Sequence, residues 1–429
     1  MFSLGQRIRE LRMKKGLTQI ELAEGLCTPS MISQIESDRA RPSYKVLFAL
    51  ADRLDVALDK LLVDVNLNLE YVSTYKMARA MIRAQEYASA IPLLQELLET
   101  PRAQISETDI MYELGECYVQ TDQLAAASKL FAEVQEQGTL RQDHGTIAQA
   151  MKQLGRIEFL SKRYQLAIYH WQRALEEADK MEERDVELEG TLHYHLGEVL
   201  TKTGQVFEAL AHFEAATALF DRVRNLTEMA HVYKGMGSAY RMADHLDKAT
   251  DFSEKAAALF ETLDEVLLSL RQKVETAALY LAGGRLEEAE RLLTEALTRF
   301  RERGDREEEG RALVVYAKWQ WAREQVDAAE ETCRLARNLL PELHVDQGWI
   351  NRVLGDVALH RGQEEEALRR LQMAADCFKS LGEVGAWDET MYRIALLLRD
   401  AGEVERAYRV VEEIRRFSRE TLEQRGIVL

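Results

Sequence analysis

Thr28, Ser30, Ser33 and Gln34 gather three hydroxyls and one amide into a single short stretch. A glutamine amide can donate to and accept from an adenine edge at the same time, and a hydroxyl can address a base or a phosphate oxygen. Such chemistry reads nucleic acid; it does not make or break bonds. Elsewhere no glycine loop that could cradle phosphate and no nucleophile–base pair stands out. His193 and His195 are two residues apart and cannot share a metal on one helical face. The expectation is a protein that is not an enzyme and needs neither cofactor nor metal.

The elements that would hold those side chains follow from caps and apolar spacing. Residues 1–62 predict a helical head. Ser3 with Gln6, and Thr18 with Glu21, are spaced as capping boxes for the first two helices. Ile8 and Leu11 face the first helix inward, Leu22 and Leu26 the second, and Gly16 ends the first. Thr28 caps the third, with Pro29 at the position where a missing N–H costs nothing, and Ile32 and Ile35 are its apolar side. Ser43 caps a fourth helix carrying Val46, Leu47, Leu50 and Leu54, and Leu58, Leu61 and Leu62 close the small core.

Charge separates this head from the remainder. Residues 1–65 hold ten Lys/Arg and nine Asp/Glu, a balance of +1; residues 66–429 hold 46 and 64, a balance of −18, for a total of −17. Arg7, Arg9, Arg12, Lys14 and Lys15 crowd the first turns against Glu10 alone. The head can approach phosphate, while the tail would repel it. No apolar run is long enough to span a bilayer, and the first residues lack the apolar core of a signal peptide. Cys27, Cys117, Cys333 and Cys377 are too scattered for a zinc or redox motif. Reduced thiols, a cytoplasmic location and no membrane contact are expected.

The run Leu17–Ala23, with Ile32–Glu36 and Arg39–Ser43, resembles the Cro/XRE-type helix-turn-helix family. The resemblance implies a five-helix head whose third helix enters the major groove, with Thr28, Ser30, Met31, Ser33 and Gln34 towards the bases. It implies that Gln19 grips a phosphate and that Arg39 and Arg41 contact phosphate from the following loop. Glu36 is expected in an ion pair or cap within the head. The turn Gly25-Leu26-Cys27-Thr28-Pro29 is one residue shorter than usual in that family and looks like the heads of PlcR- and NprR-type regulators. A head kept only for protein interaction is the competing reading.

Beyond a linker at 63–70, residues 71–424 repeat. Ala78, Gly115, Gly155, Gly197, Gly237, Ala277, Ala317, Gly355 and Ala395 are each followed twelve residues later by alanine: Ala90, Ala127, Ala167, Ala209, Ala249, Ala289, Ala329, Ala367 and Ala407. A bulky residue often stands four later, as at Phe131, Trp171 and Phe213, where it would fill space against the next unit. This is the tetratricopeptide signature, lengthened from about 34 residues to between 37 and 42. Two helices cross closely only where the crossing carries Gly or Ala. The expected fold is all-α, the head followed by a right-handed superhelical solenoid of about nine units whose first helices line a concave wall. Periodicity places Lys152, Arg156, Tyr194, His195, Glu198, Lys234, Ser238, Arg241, Lys318 and Asp356 on that wall. Trp171 is read as structural, and of Trp319 and Trp321 at least one as core.

The whole chain, a short-turn Cro-type head on long tetratricopeptide units, resembles the RRNPP quorum-sensing regulators of Gram-positive bacteria. The resemblance implies a transcriptional regulator that binds a palindromic duplex as a homodimer or higher oligomer and a short signalling peptide on the concave wall. There Lys152, Arg156, Lys234 and Arg241 would suit carboxylates, Glu198 an amine, and Tyr194 a side chain. Some members of that family also bind a sporulation response regulator. Asparagine, common in the family's peptide contacts, is almost absent from these positions. Two other readings stay open: a scaffold that sequesters a response regulator or promotes its dephosphorylation, and a regulator whose repeats serve oligomerisation alone.

Overall fold

The computed structural model describes residues 4–424 apart from 41, 57 and 103. Ser3, Arg41 and the side chains of Leu58, Leu61 and Leu62 lie outside the described residues. What is described is helices and turns without a strand. It divides into two compact units, Met1–Arg141 and Gln142–Leu429.

The first unit opens with the head. Helix α1 (Leu4–Lys14) gives way to Gly16 at φ 70°, in the left-handed region that glycine enters freely. Helix α2 (Gln19–Ala23) carries the expected capping box: Glu21 N donates to Thr18 Oγ1 at 3.2 Å, and Thr18 N donates back to Glu21 Oε2 at 2.6 Å. Helix α3 (Pro29–Glu36) starts with Met31 N donating to Thr28 Oγ1 at 3.2 Å. Helix α4 (Tyr44–Leu54) is capped by Ser43. Ile8, Leu22, Ile32, Ile35 and Leu50 are buried at the centre. Helices α1 and α3 touch at Gly5, whose N donates to Asp38 Oδ1 at 3.0 Å. A Cβ there would run into the Ile35 carbonyl.

Helix α5 (Leu58–Arg83) packs on α1 and α4 and also pairs with α6 (Tyr87–Glu99). Residues 63–70, expected as a linker, are therefore helix interior, and the last helix of the head is the first of the array. A second pair, α7 (Glu107–Gln120) and α8 (Leu124–Arg141), completes the unit.

The second unit is seven helix pairs: α9 (His144–Leu160) with α10 (Tyr164–Ala178), α11 (Val186–Lys202) with α12 (Val206–Val223), α13 (Leu226–Met242) with α14 (Leu246–Thr262), α15 (Val266–Ala282) with α16 (Leu286–Arg303), α17 (Arg306–Ala322) with α18 (Val326–Leu339), α19 (Val345–His360) with α20 (Glu364–Leu381), and α21 (Val384–Asp400) with α22 (Val404–Gln424). In both units the small residues sit at the crossings, and all nine paired alanines are buried. A Cβ on Gly115 would lie 2.7 Å from Phe131, and one on Gly197 2.6 Å from Phe213. Trp171 fills the same place over Gly155. These aromatics thus seal their own pair first. Phe213 and Trp171 also reach the next: a Cβ on Gly235 would lie 2.6 Å from Phe213, and His195 stacks on Trp171 at 5.0 Å.

Curvature in the second unit follows from which helices touch. Several first helices approach the first helix of the next pair, α9 to α11, α11 to α13, α15 to α17 and α17 to α19, while second helices make no comparable contact among the described residues. The first-helix face is therefore the inner one. One contact escapes the nearest-neighbour rule of such arrays: Lys162 Nζ donates to the Leu381 carbonyl at 3.2 Å, across 219 residues.

Candidate functional site

In the head, α3 presents its polar side outward. Thr28, Ser30, Ser33, Gln34 and Arg39 are exposed, whereas Met31 is half-buried against the head core. The Thr28 hydroxyl already accepts from Met31 N, so its cap role competes with any contact to a base. Ser37 Oγ donates to the Ser33 carbonyl at 2.8 Å, and Arg39 N and Ala40 N donate to the Gln34 carbonyl at 2.8 and 3.2 Å, which finishes the helix and leaves the Gln34 amide free of that task.

Gln19 is held from below. Its Nε2 donates to Glu36 Oε2 at 2.8 Å. Glu36 also accepts from Arg12, Nε to Oε1 at 2.5 Å and Nη2 to Oε2 at 3.0 Å, and Arg12 Nη1 donates to the Leu17 carbonyl at 2.8 Å. Burial pushes the Glu36 carboxyl up, but hydrogen bonds from Arg12 and Gln19 and the Arg12 and Arg9 charges outweigh it and hold the pKa below the usual range. Glu36 thus makes the ion pair expected from sequence and orients the residue at the start of α2 as well.

The inner wall of the second unit gathers some of the expected residues and uses others as structure. Lys234 lines a cavity of about 350 Å³ with His231 from α13, Arg271, Gln272 and Glu275 from α15, Glu308 and Arg311 from α17, and Asp346 from α19, floored by Phe260 and Phe300. Ser238 and Arg241 line an adjoining recess with Lys234, Gln272 and Glu275. Lys152 and Arg156 are half-buried on α9, and the Lys152 carbonyl accepts from Trp171 Nε1 at 2.9 Å. Tyr194 packs on Phe213 and His231, and burial, followed by the Glu198 charge, pushes its phenol well above its ordinary value. His195 lies 3.5 Å from Glu198 and flat on Trp171. Asp356 is paired with Arg393.

Ion pairs step along the same wall from unit to unit: Arg271 to Glu308 at 2.6 Å, Arg311 to Glu308 at 3.3 Å and to Asp346 at 3.7 Å, and Arg352 to Glu389 at 2.5 Å. His231, Arg271, Arg311 and Trp349 each stand six residues before the small residue of their helix, one turn N-terminal to the positions chosen from sequence and on the same face. That register was available in the chain and extends the wall further than expected. His193 Nδ1 meets His212 Nδ1 at 2.8 Å, and burial lowers both pKa values. Trp319 is buried with its Nε1 on the Leu286 carbonyl at 2.8 Å, and Trp321 stands edge-on to His360. Cys117 and Cys333 are buried, Cys27 and Cys377 half-buried, and all four are free thiols.

An exposed, capped third helix on a five-helix head, followed by glycine- and alanine-crossed helix pairs, defines a helix-turn-helix protein with tetratricopeptide repeats. Residues 8–61 match a helix-turn-helix family model, and residues 75–142 and 188–262 match tetratricopeptide repeat models. These are regulatory and scaffold families rather than enzyme families.

Among solved structures, a Rap protein complexed with Competence and Sporulation Factor is 16% identical, with a TM-score of 0.53, covering 83% of this chain and 99% of that one. A signal transduction ATPase with a tetratricopeptide repeat sensor from Pyrococcus horikoshii is 17% identical, with a TM-score of 0.54, covering 78% of this chain and 51% of that one. PlcR of Bacillus thuringiensis, in complex with the peptide PapR7 and DNA, is 16% identical, with a TM-score of 0.40, covering 61% of this chain and 95% of that one. A curated relative, outer dynein arm-docking complex subunit 4 of Xenopus laevis, is 26% identical over 111 residues; they make up 26% of this chain, which spans only 21% of that protein. No helix among the described residues is long and apolar enough to cross a membrane.

Proposed function

We propose that this chain is a peptide-responsive transcriptional regulator that works in the cytoplasm as a homodimer on a palindromic site. The observation that carries the reading is the coexistence, in one polypeptide, of an outward-facing α3 and a charged cavity of about 350 Å³ on the inner wall. A single head reaches only a few base pairs, so two heads on a two-fold site supply the specificity one lacks. The Rap protein of similar fold is complexed with a factor named for competence and sporulation, which supports a signalling ligand for the present wall. Cations and carboxylates alternate along it, which suits the termini and charged side chains of a short extended peptide.

The test is selection of bound fragments from a random duplex pool, repeated with and without added peptides. No enriched motif in either condition sinks the reading. Once a motif exists, Gln34→Ala is expected to cost about 1–3 kcal/mol and relax preference at one position. Arg39→Ala is expected to weaken all sequences alike and reduce the salt slope by about one. A Gln34→Ala footprint with unchanged base preference would remove Gln34 from the reading surface.

A further inference from the structure

Among the described residues, every charged side chain named on the wall between α17 and α21 has a partner of opposite sign except one. Arg311 and His344 approach Asp346 at 3.7 and 3.5 Å. Arg352 grips Glu389 through both Nη atoms, at 3.0 and 2.5 Å, and Arg393 holds Asp356. Lys318, on α17, makes no hydrogen bond or ion pair among the described residues; its Nζ sits 3.9 Å from the centre of the Trp349 ring. The Arg352 guanidinium lies 4.8 Å from the same ring. A ring face attracts a cation but leaves the three donors of an ammonium unfilled.

We propose that Lys318, seated on Trp349 in the inner wall, is the subsite that takes a carboxylate of the peptide. This rests on the proposed function. The fit is chemical: a desolvated ammonium without an acceptor gains most from an anionic oxygen, and Asp346, bordering the cavity on the next helix, is already engaged. The carboxylate can be the peptide's C-terminus or an acidic side chain.

Titration agrees with this placement. Burial pushes the Lys318 ammonium down to about 8, Arg352 pushes the same way, and Asp346, Glu389 and Cys333, facing it from α19, α21 and α18, oppose. A carboxylate bound at Nζ restores the proton. Binding then takes up a proton as pH rises past about 8, and affinity falls as pH rises through that free-state value.

The experiment uses the full chain and a synthetic library of random heptapeptides, made with free C-termini and again as C-terminal amides. Bound members are identified by mass spectrometry and the strongest is titrated by calorimetry. Lys318→Met, which keeps the stem on the indole, is expected to bind at least tenfold more weakly and with no affinity change between pH 7 and 9. Lys318→Arg is expected to bind with affinity that no longer falls over that range. Loss of binding by the amide alone marks the C-terminus as the carboxylate; loss on Asp→Asn or Glu→Gln exchange in the peptide marks a side chain. Equal affinity of wild type and a folded Lys318→Met overturns the subsite while the wider reading stands. No captured peptide from either library overturns both.

Discussion

Trp171→Ala is expected to cost about 3–5 kcal/mol, the range for emptying a large buried aromatic site. The ring is 1% exposed and stands where any side chain on Gly155 would have to go. Its Nε1 donates to the Lys152 carbonyl, its face carries His195, and Phe159 packs at 5.8 Å. Removing it leaves a void, one hydrogen bond fewer on the Lys152 carbonyl and a loose contact to the next pair, and a void of this kind refills only partly. Repeat arrays transmit such damage mainly to neighbours. The expected record is an early unfolding phase in denaturant, with faster amide exchange in α9 to α12 and little change in α19 to α22. Exchange rates unaltered in α9 to α12 would show that the ring does not seal this crossing. The reciprocal change, Gly155→Val, overpacks the same point and is expected to cost about 1–3 kcal/mol.

Glu36→Ala is expected to cost a comparable amount, about 3–5 kcal/mol, because it strands the Arg12 guanidinium inside the head. The two side chains are 12% and 3% exposed, so water cannot easily replace the lost carboxylate. Gln19 loses its anchor in the same step. The pH dependence has a definite sign. The folded carboxyl titrates below its ordinary value of 4.5, so its contribution is complete above that value and is lost as pH falls through the folded one. Acid titration of the Glu36→Gln protein, followed by the helical signal, should therefore lack this component. If the wild type and Glu36→Gln lose structure over the same acid range, the ion pair is not what the acid removes.

The local grammar of the head was readable. Thr18 with Glu21, Thr28 with Pro29, and Ser43 announce helix starts because a cap is made within four residues. The nine alanines were readable for a similar reason: close crossing allows few residue types, and repetition exposes the rule. What stayed hidden depends on register between elements. Gly190 lies under Phe220 and Gly348 under Phe378, thirty residues apart, and nothing local marks those pairs. Lys318 was placed on the wall, but its ring partner Trp349 belongs to the next unit. The phosphate contact of Gln19 came from the family resemblance, and its tie to Glu36 needs α2 and α3 folded together. The linker was misjudged because 63–70 carries no helix-breaking residue, and composition alone does not say where one element's duty ends.

The unbroken α5 has a mechanical consequence. A helix of 26 residues is a rod of roughly 39 Å, stiff in bending and torsion because every peptide is tied to the turn before it. Head and first repeat share that shaft, so a rotation of α6 about α5 reaches the head as a swing, with no slack to absorb it. Loosening the shaft with a pair of glycines would uncouple the swing while leaving both ends intact.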